Sequence, residues 1–311
     1  MNIEIRLVEQ YEEGALKALL DESFEREWPQ GEWEWLSHQC PLGENLTYVA
    51  EDEECGELAA SYSLLPMLVR YDGERLWASL ANRASVREGW RRQGLFVRMG
   101  EHVLGLEERY GRQLTLGVPN MKALPGHMKV GWKIVDMLWL LEKRRCQAHP
   151  FHSAPVEKFG PEFDGFCAEN DERFAFIVCK DSAWANWRYV DRPGVEYRRY
   201  ACMNEGHMQG YVVLKDYDGD GLRKTHIIDM QAANADALND LLDAAESQAA
   251  GRDVLNLWGM PGNPYEDALR ERGFMDSGEK SVLIAHRNYG TLREWPRSGA
   301  KWFCFGDADV Y

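Results

Sequence analysis

The chain has 311 residues, of which 45% are hydrophobic, and a formal net charge of −15. At about 150 residues per domain this length predicts two domains. The charge argues against nucleic-acid or anionic-membrane binding as a main role and favours a cationic partner such as an amine. No apolar run approaches the roughly 18 residues of a membrane span. Seven scattered cysteines without a C-x-x-C pair predict a reduced, cytoplasmic protein without a zinc cluster.

The first forty residues predict a strand, a helix and a short second helix. Ile3–Glu9 alternates apolar and polar residues, and Glu12–Phe24 places its leucines on one helical face. After Trp28-Pro29, a short helix interleaves tryptophans with glutamates. The aromatic rings either stack on a substrate ring or cation, or they belong to the core. The candidates for substrate contact are Trp28, Glu32, Trp33 and Trp35.

Three strands follow, and the third leads into a basic turn. The strands are predicted at Leu46–Ala50, at Leu58–Tyr71 with an interruption at Pro66, and at Leu76–Val86. From Ser85 to Val118 the sequence then reads as strand end, basic glycine turn, amphipathic helix and second strand. The helix is predicted from apolar residues at helical spacing, namely Leu95, Met99, Val103 and Leu106.

The turn Arg91-Arg92-Gln93-Gly94 predicts an anion-binding site. The first turn of the helix behind it leaves N–H groups without partners and carries the positive end of the helix dipole. Glycine lets the backbone approach a bound group, and the two arginines add charge. This combination is typical of a phosphate site made of main chain. The other interpretation is an ordinary strand–turn–helix with a solvated arginine pair.

The spacing of this turn resembles that of the GNAT acyltransferases. These proteins carry V-x-P-x-x-[QR]-x-x-G-x-[GA] where they hold the pyrophosphate of acetyl-CoA. Val86, Arg91 and Gly94 match this pattern. Glu88 stands in place of the proline, and Phe96 replaces the last small residue. We expect the bulky side chain of Phe96 to crowd the helix start.

A second partial match follows in the same order along the chain. GNAT proteins often continue with a strand and then N-x-x-A-x-x-x-Y-x-K-x-G-[FW]. The residues in this register are Asn120, Ala123, His127, Lys129, Gly131 and Trp132. The resemblance implies an α/β fold (an α+β mixed sheet).

The resemblance also implies acetyl-CoA, or another acyl-CoA, as a co-substrate, and no metal. In GNAT proteins the strand before the turn splays from its neighbour. Free main-chain groups there hold the pantetheine and the thioester carbonyl. The residues expected to contact CoA are Ser85, Val86, Arg87, Arg91, Arg92, Gln93, Gly94, Leu95, Phe96 and Asn120.

His127 is the candidate general acid. It holds the register of the tyrosine that often protonates the thiolate in the resembling family, and imidazole can donate a proton near neutral pH. The other interpretation is a capping or surface histidine. In GNAT proteins the segment between the first two strands lines the acceptor site, so Glu32 and Glu34 are candidates for the base. A water chain and the terminal carboxylate, within Asp307–Tyr311, are the alternatives.

The second half of the chain repeats the order strand, helix, strand, helix and strand. Between Asp229 and Leu238, before its main helix, the turn has neither glycine nor a basic side chain, so no CoA site of the usual kind is expected there. The whole chain resembles tandem-GNAT proteins. We expect residues 1–146 to form the acyl-CoA-binding catalytic domain, 147–155 a linker, and 156–311 a degenerate GNAT-like domain.

Two patterns that imitate metal sites are weak. His149 and His152 have no carboxylate or cysteine beside them. Asp216–Asp220 begins like a calcium-binding EF-hand loop, but Ile227 takes the position that needs a glutamate. A hairpin turn is therefore expected at that place.

The sequence leaves more than one function open. The first is an acyl-CoA-dependent N-acyltransferase, most simply an acetyltransferase, that acts on an amine-bearing small molecule or sugar as a monomer or homodimer. The second is a CoA-binding or ligand-sensing module without turnover, because Phe96 and the missing tyrosine both depart from the motif. A third, a ligase that takes aminoacyl-tRNA, needs a basic surface, and the charge of −15 argues against it.

Overall fold

The computed structural model describes residues 2–25, 28–288 and 294–308. The helices and strands of the first half are β1 Ile3–Leu7, α1 Glu13–Phe24, α2 Glu32–His38, β2 Leu46–Asp52, β3 Glu57–Tyr71, β4 Glu74–Val86, α3 Leu95–Leu104, β5 Leu114–Gly117, α4 Leu124–Val130 and β6 Lys133–Arg144. The sequence predicts each of them to within a few residues. β3 runs without a break through Pro66, where an interruption is expected.

The second half contains three strands that the sequence pattern does not predict. Its elements are β7 Ala154–Pro155, α5 Pro161–Asn170, β8 Phe174–Val178, α6 Ser182–Tyr189, β9 Arg198–Asn204, β10 His207–Gly219, β11 Leu222–Ala232, α7 Ala235–Gln248, β12 Val254–Gly259, α8 Glu266–Glu271, β13 Met275–Arg287 and β14 Ala300–Lys301. The unpredicted strands are β7, β8 and β14. The hairpin expected at Asp216–Asp220 is confirmed, since β10 and β11 pair on both sides of it. Of the candidate base segment Asp307–Tyr311, residues 309–311 lie outside the described residues.

None of the helices in the described parts of the chain is long and apolar enough to cross a membrane.

The chain forms two compact units. As far as it is described, the first comprises Met1–Leu68, Leu76–Val135 and Val282–Glu294. Its strands lie in the order β1-β2-β3-β4-β5-β13. β4 and β5 run parallel, whereas β1–β2, β2–β3 and β5–β13 are antiparallel. The predicted mixed sheet of the α/β class is thereby confirmed.

Helices cover both faces of the first unit's sheet. α3 packs its apolar stripe against Tyr48 and Tyr62, whereas α1 packs its leucines against Val49 and Leu58. Tyr48 and Val49 are consecutive in β2, and successive strand residues point to opposite faces. The sheet is therefore buried on both sides, which explains why β3 is almost continuously buried.

The second unit comprises Val69–Arg75, Asp136–Ser281 and Trp295–Tyr311, as far as they are described. Its main strands lie in the order β6-β12-β11-β10-β9-β7. β11 and β12 run parallel, and the other described pairs in this row are antiparallel. β8 pairs in parallel with β14 and antiparallel with Val69–Tyr71. α7 packs its leucines into the core of this unit.

The compact units divide the chain differently from the predicted boundaries. The first unit ends its N-terminal run at Val135, inside β6, and takes back residues 282–294 from the far end of the chain. In the predicted linker 147–155, the last two residues form β7, which pairs with β9. Each unit therefore contains strand segments from the other half of the sequence: part of β13 in the first unit, and most of β6 with the end of β3 in the second.

Candidate functional site

The parallel pairing of β4 with β5 is short. It is described from Ala78↔Leu114 to Leu80↔Leu116, one residue before β5 ends at Gly117, so β4 continues beyond it. Three residues after Leu80, Arg83 adopts the left-handed φ of +46°, which is uncommon for a residue with a side chain. The Ser61 hydroxyl donates to the Arg83 carbonyl at 2.9 Å. The strand end that leads to the turn is therefore irregular, as expected for a strand that splays from its neighbour.

Gly94 sets the start of α3. It has a φ of +78°, and a Cβ at this position would meet no protein atom within 4 Å. The Arg98 N–H donates to the Gly94 carbonyl at 3.1 Å as the first bond of the helix. The N–H groups of residues 95–97 have no carbonyl one turn before them, and glycine has no side chain to cap them. The first turn of α3 therefore offers main-chain amide donors, and no side chain at position 94 covers them.

Two exposed arginines stand beside these amides. Arg91 Nε donates to the Val86 carbonyl at 2.9 Å, which holds its guanidinium next to the end of β4. Arg92 has a left-handed φ of +62°. Gln93 Nε2 donates to the Gly89 carbonyl at 2.9 Å and thereby closes the turn. The turn therefore combines fixed positive side chains with main-chain donors.

Phe96 does not crowd the helix start. A Cβ on Gly126 would lie 2.6 Å from Cδ1 of Phe96, so the phenyl ring rests directly on the backbone of α4. Its centroid is 5.0 Å from that of His127 and 6.1 Å from that of Tyr62. The small residue that the family has at the turn is replaced by a large one, and a glycine thirty residues later makes room for it. The crowding expected from the sequence is therefore wrong.

His127 lies in an aromatic pocket under α3. Its ring centroid is 5.1 Å from that of Trp132, and its Nδ1 is 3.4 Å from the Tyr62 hydroxyl. Burial lowers the pKa of His127 to about 4, so the imidazole is neutral at pH 7. Burial also raises the pKa of Tyr62, so its hydroxyl keeps its proton. The interpretation of His127 as a capping or surface residue does not fit its 5% exposure.

Comparisons with known proteins agree with this geometry. No protein-family model matches the sequence, and no curated protein matches it either. Among solved structures, a GCN5-related N-acetyltransferase from Anabaena variabilis ATCC 29413 is similar with a TM-score of 0.74 and 14% identity, over 93% of this chain and 73% of that one. The chain has the GNAT fold.

Two further structures share the fold. One is a conserved protein of unknown function from Enterococcus faecalis V583, named a probable N-acyltransferase, with a TM-score of 0.71 and 12% identity over 93% of this chain and 73% of that one. The other is the N-myristoyltransferase of Saccharomyces cerevisiae with bound myristoyl-CoA, with a TM-score of 0.65 and 11% identity over 93% of this chain and 83% of that one. At these identities the likeness concerns the GNAT fold alone.

The expected CoA-contacting residues at the end of β4 use several polar groups within the protein. Ser85 Oγ is 2.8 Å from Ser61 Oγ, and the Arg87 N–H donates to the Ala59 carbonyl at 2.9 Å. The Arg87 side chain pairs with Glu57. Leu95 buries its side chain in the core, so it offers its N–H only. The positions fit the GNAT fold, whereas the contacts with CoA stay a prediction.

Asn120 lies just before α4 rather than capping it directly. Its Oδ1 accepts from the N–H groups of Lys122 and Ala123, at 3.0 and 2.9 Å. α4 begins at Leu124. The side chain therefore builds the turn that leads from β5 into the helix carrying His127.

The candidate acceptor residues gather around Arg83, which the sequence did not single out. The Arg83 guanidinium carbon lies 4.2 Å from the ring centroid of Trp28 and 5.8 Å from that of Trp33. Glu32 Oε1 is 4.0 Å from Arg83 Nη2, and both side chains are at least 95% buried. Trp35 is buried in the core. A general base needs contact with solvent or substrate, so Glu34, which is exposed, is the better placed of the two glutamates.

The second unit repeats the strand–helix–strand arrangement, but a distant segment of the chain contacts its two parallel strands. β11 and β12 pair in parallel from Lys224↔Val254 to His226↔Asn256 and no further in the described register. Beyond that point the segment Lys301–Ala308 contacts both strands. Cys304 Sγ is 3.3 Å from Asp229 Oδ1 of β11, and Phe305 packs at 4.7 Å on Trp258 of β12.

No metal cluster adds to these sites. Within residues 2–25, 28–288 and 294–308, no group of three or more His, Cys, Asp or Glu side chains is arranged to hold a metal ion.

Proposed function

We propose that the protein is an acyl-CoA-dependent N-acyltransferase of the GNAT type, with acetyl-CoA as the simplest acyl donor and an amine as the acceptor. The observation that carries this proposal is the start of α3. Amide donors without intrahelical partners, a glycine with no atom near its Cβ position, and two exposed arginines lie shortly after β4, which continues beyond its pairing with β5. A helix N-terminus built in this way fits a diphosphate.

The residues present suit the binding of the CoA diphosphate through the main chain. Amides of residues 95–97 point out of the helix, and Arg91 and Arg92 supply charge at its start. Phe96 leaves this approach open because its ring lies on Gly126. Acyl-CoA supplies an activated carbonyl, and the edge of β4 beyond Leu80 offers main-chain groups that can hold it.

Acyl transfer to an amine requires one proton to leave the attacking nitrogen and another to reach the departing sulfur. His127 remains our candidate for the second role. With a pKa of about 4 its imidazole is neutral at pH 7, so its N–H stabilises the departing sulfur by a hydrogen bond, and the proton that reaches the sulfur is the one lost by the attacking nitrogen. The Tyr62 hydroxyl, 3.4 Å from Nδ1, is the second member of this donor pair. Which of the two atoms donates to the other depends on the histidine tautomer.

The His127 assignment is tested by separating turnover from binding. His127→Gln should lower kcat by about 10²-fold, as expected when a donor placed for the charge that develops on the departing sulfur is displaced, while the CoA dissociation constant changes little. Tyr62→Phe is the matched variant that removes only the hydroxyl. Melting temperatures check that both variants fold. A wild-type kcat in folded His127→Gln protein would remove His127 from the mechanism.

Calorimetry and a thiol-release assay test the whole proposal. CoA and acetyl-CoA should bind, and pantetheine, which lacks the diphosphate, should bind much more weakly. Release of CoA thiol in proportion to an added amine establishes the transferase. Binding without release for any amine in a broad panel favours the sensor. If CoA does not bind at all, both the transferase and the CoA-binding sensor are wrong.

A further inference from the structure

A cavity of about 380 Å³ opens at one end of the first unit, away from the α3 turn. It is bounded by the end of β1, the start of α1, the helix α2 and the start of β2. Trp33 forms part of its wall. Its volume is that of a small organic molecule.

The rim of this cavity is acidic. Four glutamates line it, and all four are exposed: Glu9, Glu13, Glu34 and Glu44. His38 is the basic side chain among its lining residues. The field at the opening therefore attracts a cation and repels an anion.

Two buried polar atoms of the lining residues have no hydrogen-bond partner among the described residues. They are Ser37 Oγ and Asn45 Nδ2, in side chains that are 3% and 4% exposed. Buried polar groups are normally hydrogen-bonded, and an unmade bond costs about 1–3 kcal/mol. Ser37 Oγ has lone pairs to accept from an ammonium N–H. Asn45 Nδ2 is itself a donor, so Ser37 Oγ is the one of the two atoms that a cationic group could satisfy.

The cavity is connected to β4 through one side-chain bond. Asn45 Oδ1 accepts from Asn82 Nδ2 at 3.1 Å, and Asn82 lies in β4 next to Arg83. Trp33 of the cavity wall is also the ring that lies 5.8 Å from the Arg83 guanidinium carbon. Asn45 and Trp33 therefore place the cavity wall one side chain away from the irregular end of β4, where the proposed reaction takes place.

We propose that this cavity holds a second cationic group of the acceptor, so that the acceptor is a diamine or a longer polyamine rather than a monoamine. This inference rests on the proposed function. The amine that reacts must lose its charge, whereas a second ammonium stays charged and is held by the glutamate rim and by Ser37. The cavity would then select acceptors by charge at the end remote from the reacting nitrogen.

Three amines that share a five-carbon chain after the reacting nitrogen test the charge preference. 1,5-Diaminopentane, pentylamine and 6-aminohexanoate carry a positive, an apolar and a negative group at the remote end. We expect kcat/KM to fall at least tenfold from the diamine to pentylamine and further to the aminohexanoate. Without CoA, the diamine should also raise the melting temperature more than the other two.

A pair of double variants separates the cavity from overall charge. Glu13→Gln/Glu44→Gln removes two rim charges, and Glu53→Gln/Glu54→Gln removes two exposed charges outside the cavity. The first should reduce the diamine preference at least fivefold in kcat/KM and in melting shift, and the second should leave it unchanged.

The possible results decide between the two proposals. If pentylamine and the diamine are equivalent in rate and melting shift while CoA binds, the cavity inference is overturned and the transferase stands. If CoA does not bind but the diamine preference in melting shift persists and is lost in Glu13→Gln/Glu44→Gln, the cavity stands as a cation site and the transferase falls. An equal loss of preference in both double variants overturns the cavity inference.

Discussion

The starts of α3 and α7 occupy the same place in two strand–helix–strand units, yet they differ in what they can bind. α3 begins at Gly94, with Arg91 and Arg92 before it and no side chain over its first amides. α7 begins at Asn234, whose side-chain oxygen accepts from the Ala237 N–H at 2.9 Å, and Asp236 adds a negative charge in the first turn. The backbone geometry allows an anion site at both places. The side chains at each helix start decide whether an anion can bind there.

The strands in front of these helices differ in the same sense. The described pairing of β4 with β5 ends at Leu80, and the rest of β4 leads to the α3 turn. In the second unit, Cys304 and Phe305 contact the separated strands β11 and β12 instead. In the second unit, residues of the chain itself therefore occupy the space beside these strands and make contacts that a ligand would otherwise make. The tandem-GNAT interpretation stays a prediction that this comparison supports.

The largest effect on the free energy of unfolding is expected from the buried ion cluster that holds the segment Lys301–Ala308 in place. Lys180 Nζ lies 2.7 Å from Asp229 Oδ2 and 2.8 Å from Asp307 Oδ1, and all three side chains are fully buried. Lys180→Met leaves two buried carboxylates without their cation, which should lower the free energy of unfolding by about 3–5 kcal/mol. Urea unfolding measures this change.

The control for this variant is Lys224→Met, in a pair 3.7 Å long with the exposed Asp220. Because that pair is near the surface, the loss should stay below about 1 kcal/mol. Equal losses in both variants would contradict the role of the buried cluster.

Acidification should destabilise the protein through its two buried histidines, one in each unit. Burial lowers the pKa of His127 and of His226 to about 4, below the usual value near 6.5. The unfolded chain binds these protons more tightly, so the stabilisation is complete above pH 6.5 and is lost as the pH falls toward 4. Each histidine should account for about 2 kcal/mol between pH 7 and pH 5.

Urea unfolding of wild type and His127→Gln at pH 7 and pH 5 isolates the contribution of the first unit. The variant should lose less stability on acidification than the wild type does. An unchanged pH dependence would mean that His127 already titrates near its usual pKa in the folded protein.

A charge at position 94 should weaken CoA binding by about tenfold or more, which corresponds to about 1.4 kcal/mol. Gly94→Asp and Gly94→Asn have the same shape, and both residue types tolerate a positive φ better than others do. The aspartate, however, repels a diphosphate. Calorimetry with CoA measures the ratio of the two dissociation constants. Equal constants for the two variants would place the diphosphate elsewhere.

The smallest effect is expected at the start of α7. Asn234→Ala removes the cap, and we expect a loss of about 1 kcal/mol in the free energy of unfolding. CoA binding and turnover should not change, because α7 also lacks the glycine and the arginines of α3. A change in CoA affinity in this variant would break the contrast between the two helix starts.

The α3 turn and most strands were predictable because their signals are local. A glycine, two arginines and an apolar stripe at helical spacing lie within fifteen residues of one another. The environment of Phe96 was not predictable, since it depends on Gly126 of another helix. Tyr62 and Arg83 escaped notice because both lie in strands and acquire their partners only in the folded protein. The acidic cavity likewise combines Glu9 with Glu44, which no local pattern connects.

β8 and the unit boundaries were missed for a related reason. Phe174–Val178 is a short apolar run without turn signals, and its partners are Val69–Tyr71 and β14, far away in the sequence. The boundary predicted at residue 146 follows the order of the elements, whereas compactness follows strand pairing. Strands that pair across large sequence separations leave no periodic signal at the place where they join.

The exchange of strands has a consequence for how the protein can be divided. The first unit includes Val282–Glu294, and the second begins its main run at Asp136, inside β6. If the chain were divided within the segment 147–155, each of the two polypeptides would lack strand residues that belong to its own sheet. Neither piece is an autonomous module, so shuffling one half onto another protein would require carrying the distant strand along with it.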